Sequence, residues 1–368
     1  IRVRMRSLGQ PAIMMSGGLD STTIASLAAR QISPNRLTTY SYVFDEFQDC
    51  DERIYIHEIQ RKYDTRSVEI VSDDFWPFYN WPDWPASPSY PISNIYWPLR
   101  HRVYQQASQD GIHVMLDGDF GDDLYYPDVD WFSALLIDRH LRLAWQETAH
   151  HVSSASLRKY FMRVPLRRLA RQILDKFPGG DHIGNKPTLN SWLSAESCLL
   201  LSKVNSPRYN HVRYNALFDP LTAQISSVNP FSSFFPALEL RHPCRDIRLI
   251  EFMLALPPYL LYRFGCKRFI LREAMRGILP EKIRLRVGKT HFLPLFFHGR
   301  EQRRDELKLF FESPNSPWKR FVNLRWLLER WDAAYIPDHD GAEKVVPWLC
   351  LAYTLWYRLS INDSFSSI

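Results

Sequence analysis

Two rhythms of apolar and polar positions run through the first third of the chain. Residues 11–15 (PAIMM) form a short apolar run and 16–18 (SGG) a tight polar turn. The Ala-rich stretch beyond sets Ile24, Leu27 and Ala28 on one helical face. That order predicts strand, loop and helix. Residues 37–44 (LTTYSYVF), rich in Thr, Tyr and Val, predict a second strand, and an acidic loop follows at 45–51. Residues 52–63 carry Ile54, Ile59 and Tyr63 near helical spacing, and 67–71 return as a third strand. Residues 100–110 read as a helix with Val103, Tyr104 and Ala107 on one face, stopped by Gly111 before a buried strand at 112–116. Strands alternating with helices imply an α/β fold, a parallel twisted sheet with flanking helices. In such folds ligands sit beyond the carboxyl ends of the strands.

One segment breaks the rhythm. Residues 75–98 (FWPFYNWPDWPASPSYPISNIYWP) are too dense in Trp, Tyr and Pro for a helix or a central strand. They read either as a lid or clamp over a site or as a hydrophobic wrap over the sheet edge, and the wrap is favoured. Residues 131–177 are helical in pattern and basic, with arginines placed to form a solvated face rather than a nucleic-acid surface. A polar linker at 176–191, a helix at 192–204 and helical packing segments at 306–311 and 346–360 follow. The chain divides into an α/β core at 1–127 and a mainly helical C-terminal part at 128–368 that completes the site.

Composition excludes several classes. At 368 residues, 45% hydrophobic and 23% charged, the chain is long and apolar enough for a proper core and is not disordered. Five cysteines without metal-ligand spacing argue against a disulfide framework and fit a reducing, cytoplasmic setting. No run approaches membrane length and no signal peptide is visible, so a membrane partner is not expected. The chain starts at Ile1 and reaches its first strand at once, which reads as a fragment with an upstream segment removed.

The chemistry gathers at two turns. In Ser16-Gly17-Gly18-Leu19-Asp20-Ser21, glycines let a ligand approach the main chain, and Ser16, Ser21 and Thr22 add hydroxyl donors. The loop N–H groups are expected to point outward at the positive end of the helix, as in a phosphate cradle. Asp20 would repel a phosphate unless a cation stood between them, so it implies Mg²⁺. Val43, near the end of the second strand, is a candidate wall for an adenine, although a buried strand position is the commoner role of a Val. The second turn, Asp117-Gly118-Asp119-Phe120-Gly121-Asp122-Asp123, follows a strand directly, and clustered carboxylates persist where a cation offsets them. Gly288-Lys289-Thr290 is not a Walker loop, because Ile283 stands where that loop needs its first glycine.

The first loop resembles the pyrophosphatase loop (PP-loop) of ATP-dependent adenylating enzymes, giving an adenine nucleotide alpha-hydrolase-like core. Together with the Leu116–Asp123 loop it resembles the C-terminal domain of the asparagine synthetase family, whose relatives include β-lactam and lasso-peptide macrolactam synthetases. A third segment agrees: Leu238-Glu239-Leu240-Arg241-His242-Pro243, Asp246, Arg268 to Met275, Leu279-Pro280-Glu281, Arg286 and Lys289. The resemblance covers residues 11 to about 295, with the three motifs in the family's order.

The resemblance implies ATP and Mg²⁺ as cofactors. Ser16, Gly17, Gly18, Asp20 and Ser21 would hold the pyrophosphate part of ATP, Asp20 and Asp122 the metal, and Val43 and Gly118 would lie beside the adenosine. Lys289 falls where the family keeps a lysine over the reaction centre, and Arg268 where relatives carry a second basic residue. Asp119 stands where amidating relatives have a Glu and lactam-forming ones can have a Tyr, so its service as a base is in question. The implied reaction is adenylation of a small-molecule or peptide carboxylate, releasing pyrophosphate, then transfer to ammonia or an internal amine. An N-terminal glutaminase-like domain is expected to be missing from this chain. Its implied partners are an ammonia-donating glutaminase or a leader-peptide protease.

Two other readings compete. A non-catalytic nucleotide-binding relative is opposed by the joint retention of Asp20, Asp122 and Lys289. A tRNA-modifying adenylating enzyme would explain the net charge of +6 but leaves the segment from Glu239 to Lys289 without an account, and nucleic acid is not an expected partner.

Overall fold

Five parallel strands form the centre of the fold: β1 (Ala12–Met14), β2 (Thr38–Val43), β3 (Arg66–Val71), β4 (Val114–Leu116) and β5 (Glu239–Arg241). Their order is β3-β2-β1-β4-β5. The chain winds outward from β1 through β3, then restarts on the other side of β1 with β4. The loops after β1 and β4 therefore diverge at a switch point, the place where open α/β sheets form their ligand crevice. The computed structural model describes residues 1–84, 91–92, 94–125, 131–152, 193–197, 235, 237–332 and 342–365.

The central strands β1 and β4 are buried at every position because both faces are covered, whereas the outer β3 and β5 keep charged, exposed positions. Ala12, Met14, Tyr40 and Met115 point into one core, Ile13, Met15, Val43 and Leu116 into the other. The second core is closed by α1 (Leu19–Ile32) and α2 (Arg53–Tyr63), which pack on each other. The periodicity placed Ile54 inward on α2, but it is 54% exposed and the buried positions are Ile56 and Ile59. Ile24 and Ala28 of α1 are buried as expected, whereas Leu27 is only partly covered.

The first core holds α3 (Trp97–Gln109), with Val103, Tyr104 and Ala107 buried as their spacing predicted. The aromatic segment lies here too. Phe78, Trp81 and Trp84 are buried against the C-terminal helices, with Trp84 stacked on Trp348 at 4.2 Å and Trp348 Nε1 donating to Ile92 O at 2.8 Å. Its described residues are structural wrap. Residues 85–90 and 93 lie outside the described ones.

β5 comes from beyond residue 127, so the sheet takes its last strand from the second part of the chain. Between β4 and β5 run α4 (Gly121–Leu124), α5 (Trp131–Ile137) and α6 (Leu141–Val152). The helix expected at 192–204 falls mostly outside the described residues, as does the basic stretch after 152. Past β5 come α7 (Ile247–Ala255), the hairpin β6 (Tyr262–Arg263) and β7 (Cys266–Lys267), α8 (Phe269–Ala274) and α9 (Glu281–Arg284). The chain closes with α10 (Leu293–Gln302), α11 (Arg304–Glu312), α12 (Leu324–Asp332) and α13 (Ala342–Phe365). Among the described residues no helix is long and apolar enough to cross a membrane.

Candidate active site

The loop after β1 turns into α1 through Gly18, whose extended backbone (φ −72°, ψ 156°) caps the helix. Asp20 then sits in the first helical turn, where the positive end of the helix favours a carboxylate. The expectation of outward-pointing amides is corrected for three residues. Ser16 N donates to Ser21 Oγ (3.1 Å), Gly17 N to Glu52 Oε2 (2.9 Å) and Gly18 N to Ser16 Oγ (3.2 Å). Two of these donors are satisfied within the loop and the third by Glu52. The Ser16 and Ser21 hydroxyls also bond each other at 2.9 Å.

Glu52, which sequence reasoning left without a role, is a buried carboxylate at the start of α2. Arg286 is its cation: Nη1 lies 2.9 Å from Glu52 Oε1 and 2.9 Å from Gly17 O, and its guanidinium covers the Tyr55 ring at 4.0 Å. Arg286 thus ties the third motif to the first loop across most of the chain.

The loop after β4 presses against the first. A Cβ at Gly118 would lie 2.8 Å from Ser21 N, and one at Gly121 would lie 2.6 Å from Asp20 Oδ2. Glycine is required at both places because the two loops touch. Between Gly118 and Gly121, Phe120 holds a left-handed backbone (φ 72°), a strained conformation for a bulky residue.

Four charged side chains meet at this junction. Arg268 Nη1 lies 2.8 Å from Asp20 Oδ2, and its second amino group bonds Asp122 Oδ1. Lys289 Nζ lies 2.8 Å from Asp122 Oδ2. Arg268 is aimed by the β6–β7 hairpin, whose turn residues Phe264 and Gly265 both have positive φ, the tight two-residue geometry. Buried Glu147 accepts from Phe264 N at 2.9 Å and fixes that turn. Burial pushes the Asp20 carboxyl up to about 6; Arg268 opposes that rise and Asp122 adds to it. Burial also works to raise Asp122, but Arg268 and Lys289 outweigh it and hold the carboxyl below its ordinary range.

On the far side of the second loop, Arg100 of α3 bonds Asp119 at 2.5 Å and stands 3.8 Å from Asp117. His242, the first residue past β5, places Nδ1 2.7 Å from Asp117 Oδ1. Asp119 feels burial as a raising influence, yet Arg100 prevails and keeps it below the ordinary carboxylate range. Sequence reasoning gave no role to Arg100, Asp117 or His242. Their partners lie on separate elements, and only the clustered aspartates hinted at a cation nearby.

Val43, expected beside an adenosine, is fully buried, its side chain in the core and its carbonyl accepting from Ser72 N at 2.9 Å. Gly118 touches the first loop as described. An open cleft of about 700 Å³ adjoins the junction, lined by Tyr55, Arg286, Val287, Lys289, His291 and Pro294 among others.

Fold and site together define an α/β protein of the switch-point type, with two acids and two cations facing one another where its first and second loops meet. The asparagine synthase family model matches residues 1–358, and the chain belongs to that family. The chemistry of this class is ATP-dependent amide ligation. No individual curated protein matches the chain.

Proposed function

We infer that this protein is an AMP-forming amide synthetase that adenylates a side-chain carboxylate and passes the acyl group to a nitrogen nucleophile. The observation that carries the reading is the convergence of Asp20, Asp122, Arg268 and Lys289 on the switch point. Asp20 and Asp122 are the residues that would hold Mg²⁺. They fit it, since Asp20 Oδ1 is buried with no hydrogen-bond partner among the described residues. When bound, Mg²⁺ offsets the charge of the phosphates beside these carboxylates.

Ser16 to Ser21 cradle the pyrophosphate portion of ATP, the two serine hydroxyls turning from each other to phosphate oxygens. A carboxylate oxygen attacks the α-phosphorus and the bond to pyrophosphate breaks. The nitrogen then attacks the acyl carbon, the bond to AMP breaks, and a proton leaves the nitrogen. Lys289, 71% exposed on a flexible stem, swings from Asp122 to the oxygens where charge grows in each step. Arg268 supplies a second, more rigid positive charge.

An internal amine of a peptide suits the site better than ammonia. Beside Lys289 the cleft is lined by Val287 at 90% exposure, an apolar surface that a larger substrate can cover. ATP–pyrophosphate exchange is the test, run with L-aspartate, L-glutamate and short peptides bearing such side chains. Exchange with at least one, and AMP rather than ADP as the product, is expected. ADP as the main product overturns the reading.

A further inference from the structure

The strongest unassigned grouping lies on the side of the second loop that faces away from Ser21. Asp117, Asp119 and His242 bring three ligand atoms within 4.8 Å of one another, the spacing of a cation site. The charge there is already offset, however. Arg100 bonds Asp119 at 2.5 Å and sits 3.8 Å from Asp117. Arg245 also faces this group, its guanidinium over the Phe120 ring at 5.5 Å and its charge acting on Asp119 and Asp117. The cluster therefore already has cationic neighbours, and this grouping carries no metal assignment.

A different arrangement stands out. Asp117 is only 3% exposed, and its Oδ1 accepts from Asp119 N at 3.1 Å and faces His242 Nδ1 at 2.7 Å. A carboxylate only accepts, so in the neutral ring the hydrogen sits on Nδ1 and the lone pair on Nε2. Among the described residues nothing bonds Nε2, and the side chain keeps 14% exposure. A buried acid thus orients an imidazole whose outer nitrogen is open, as in a general base held by its orienting carboxylate. β4 and β5 are in register at Leu116 and Arg241, so Asp117 and His242 leave the sheet side by side at its ligand-binding end.

Deepening the function proposed above and resting on it, we propose that His242, oriented by Asp117, is the proton acceptor for the attacking amine. The nitrogen forms its bond to the acyl carbon, AMP leaves with the electrons of the broken C–O bond, and the nitrogen's proton passes to His242 Nε2. The second loop then separates two tasks: phosphates on its Ser21 side, the incoming amine on its His242 side. Asp119, bound to Arg100 and held ionised, is the poorer acceptor.

The test uses the full chain with whichever carboxylate of the panel above gives the greatest pyrophosphate exchange. His242→Asn keeps a donor toward Asp117 but removes the Nε2 lone pair. Its exchange should stay within about twofold of the unmodified protein, while amide formation with whichever amine the unmodified protein accepts, a peptide's own amine or ammonium, falls by about 10²-fold or more, the scale of general-base loss. Hydroxylamine, unprotonated near neutrality, should restore most of the acyl transfer. Long-range ¹H–¹⁵N spectra of the free protein should show the His242 ring with its hydrogen on Nδ1. Unchanged amide formation, loss of exchange in His242→Asn, or any other protonation pattern of the ring overturns the assignment. Absence of exchange with every carboxylate in the unmodified protein overturns the adenylation reading itself, and this inference with it.

Discussion

Lys289 Nζ lies 2.8 Å from Asp122 Oδ2, a contact that closes a separation of 167 residues. It joins the exposed end of the third motif to the carboxylate loop and holds a mobile ammonium at the mouth of the site. If Lys289 stabilises charge in the transition state, Lys289→Ala should lower the rate by about 10² to 10³-fold, as removal of one such donor does. ATP affinity should change far less. Lys289→Arg should rescue poorly, because a planar fork does not replace a compact ammonium. Lys282→Ala, at a half-exposed lysine 3.7 Å from Glu58, is the control and should be nearly silent. Single-turnover product formation beside equilibrium ATP binding measures all three, and equal small effects at 282 and 289 would make Lys289 a surface charge.

Arg286 should matter to folding more than to chemistry. Its partner Glu52 is 7% exposed, so Arg286→Ala leaves a buried carboxylate without its cation, a loss of about 3–5 kcal/mol. Glu52→Gln in the Arg286→Ala background should recover part of that loss by removing the stranded charge. Urea unfolding of Arg286→Ala, Glu52→Gln and the double variant reads the coupling, and additive losses would contradict it.

The Asp20 carboxyl gives stability a definite pH dependence in the absence of divalent cations. Its ordinary value is 3.8 and its folded value about 6. The raised value means the folded chain prefers the protonated acid. That contribution is fully present below 3.8 and is lost as pH rises through 6, a change of roughly 3 kcal/mol. Asp20→Asn cannot ionise, so its stability relative to the unmodified chain should increase between about pH 4 and pH 6 and level off above about pH 7 in chelator-treated buffer. A pH-independent difference in melting temperature would show that burial does not penalise this carboxylate.

Much of this was legible beforehand, and the limits have physical causes. The apolar run at 11–15 followed by Ser-Gly-Gly fixes strand, turn and helix locally, and the Asp117–Asp123 cluster announces itself after β4. On α2, Ile59 and Tyr63 face the core as expected and only Ile54 was misplaced: five residues from Ile59 it falls off that face, which Ile56 completes by packing against α1. The pairings that build the site, Arg268 with Asp122 across 146 residues and Arg286 with Glu52 across 234, leave no periodic trace. Nor does the β5 pairing, since three residues carry too short a pattern to count as a strand.

The aromatic segment supplies a test of stability alone. Trp348→Ala removes a fully buried ring, its stack on Trp84 and its bond to Ile92 O. The expected loss is about 3–5 kcal/mol. Guanidinium unfolding should show it as a lower midpoint with an unchanged slope. A loss below about 1 kcal/mol would mean the segment is not part of the main core.

The four charges at the loop junction have a consequence for order of entry. An anion arriving alone can take Arg268 and Lys289, but it strands Asp20 and Asp122 beside its own negative charge. A cation arriving alone takes the two acids and leaves the guanidinium and ammonium facing it. Only when both arrive does every charge find a new partner, so each visitor lowers the barrier for the other. On the proposed function, the resting pairs of Asp20 with Arg268 and Asp122 with Lys289 would therefore favour the joint arrival of the two ions over either by itself.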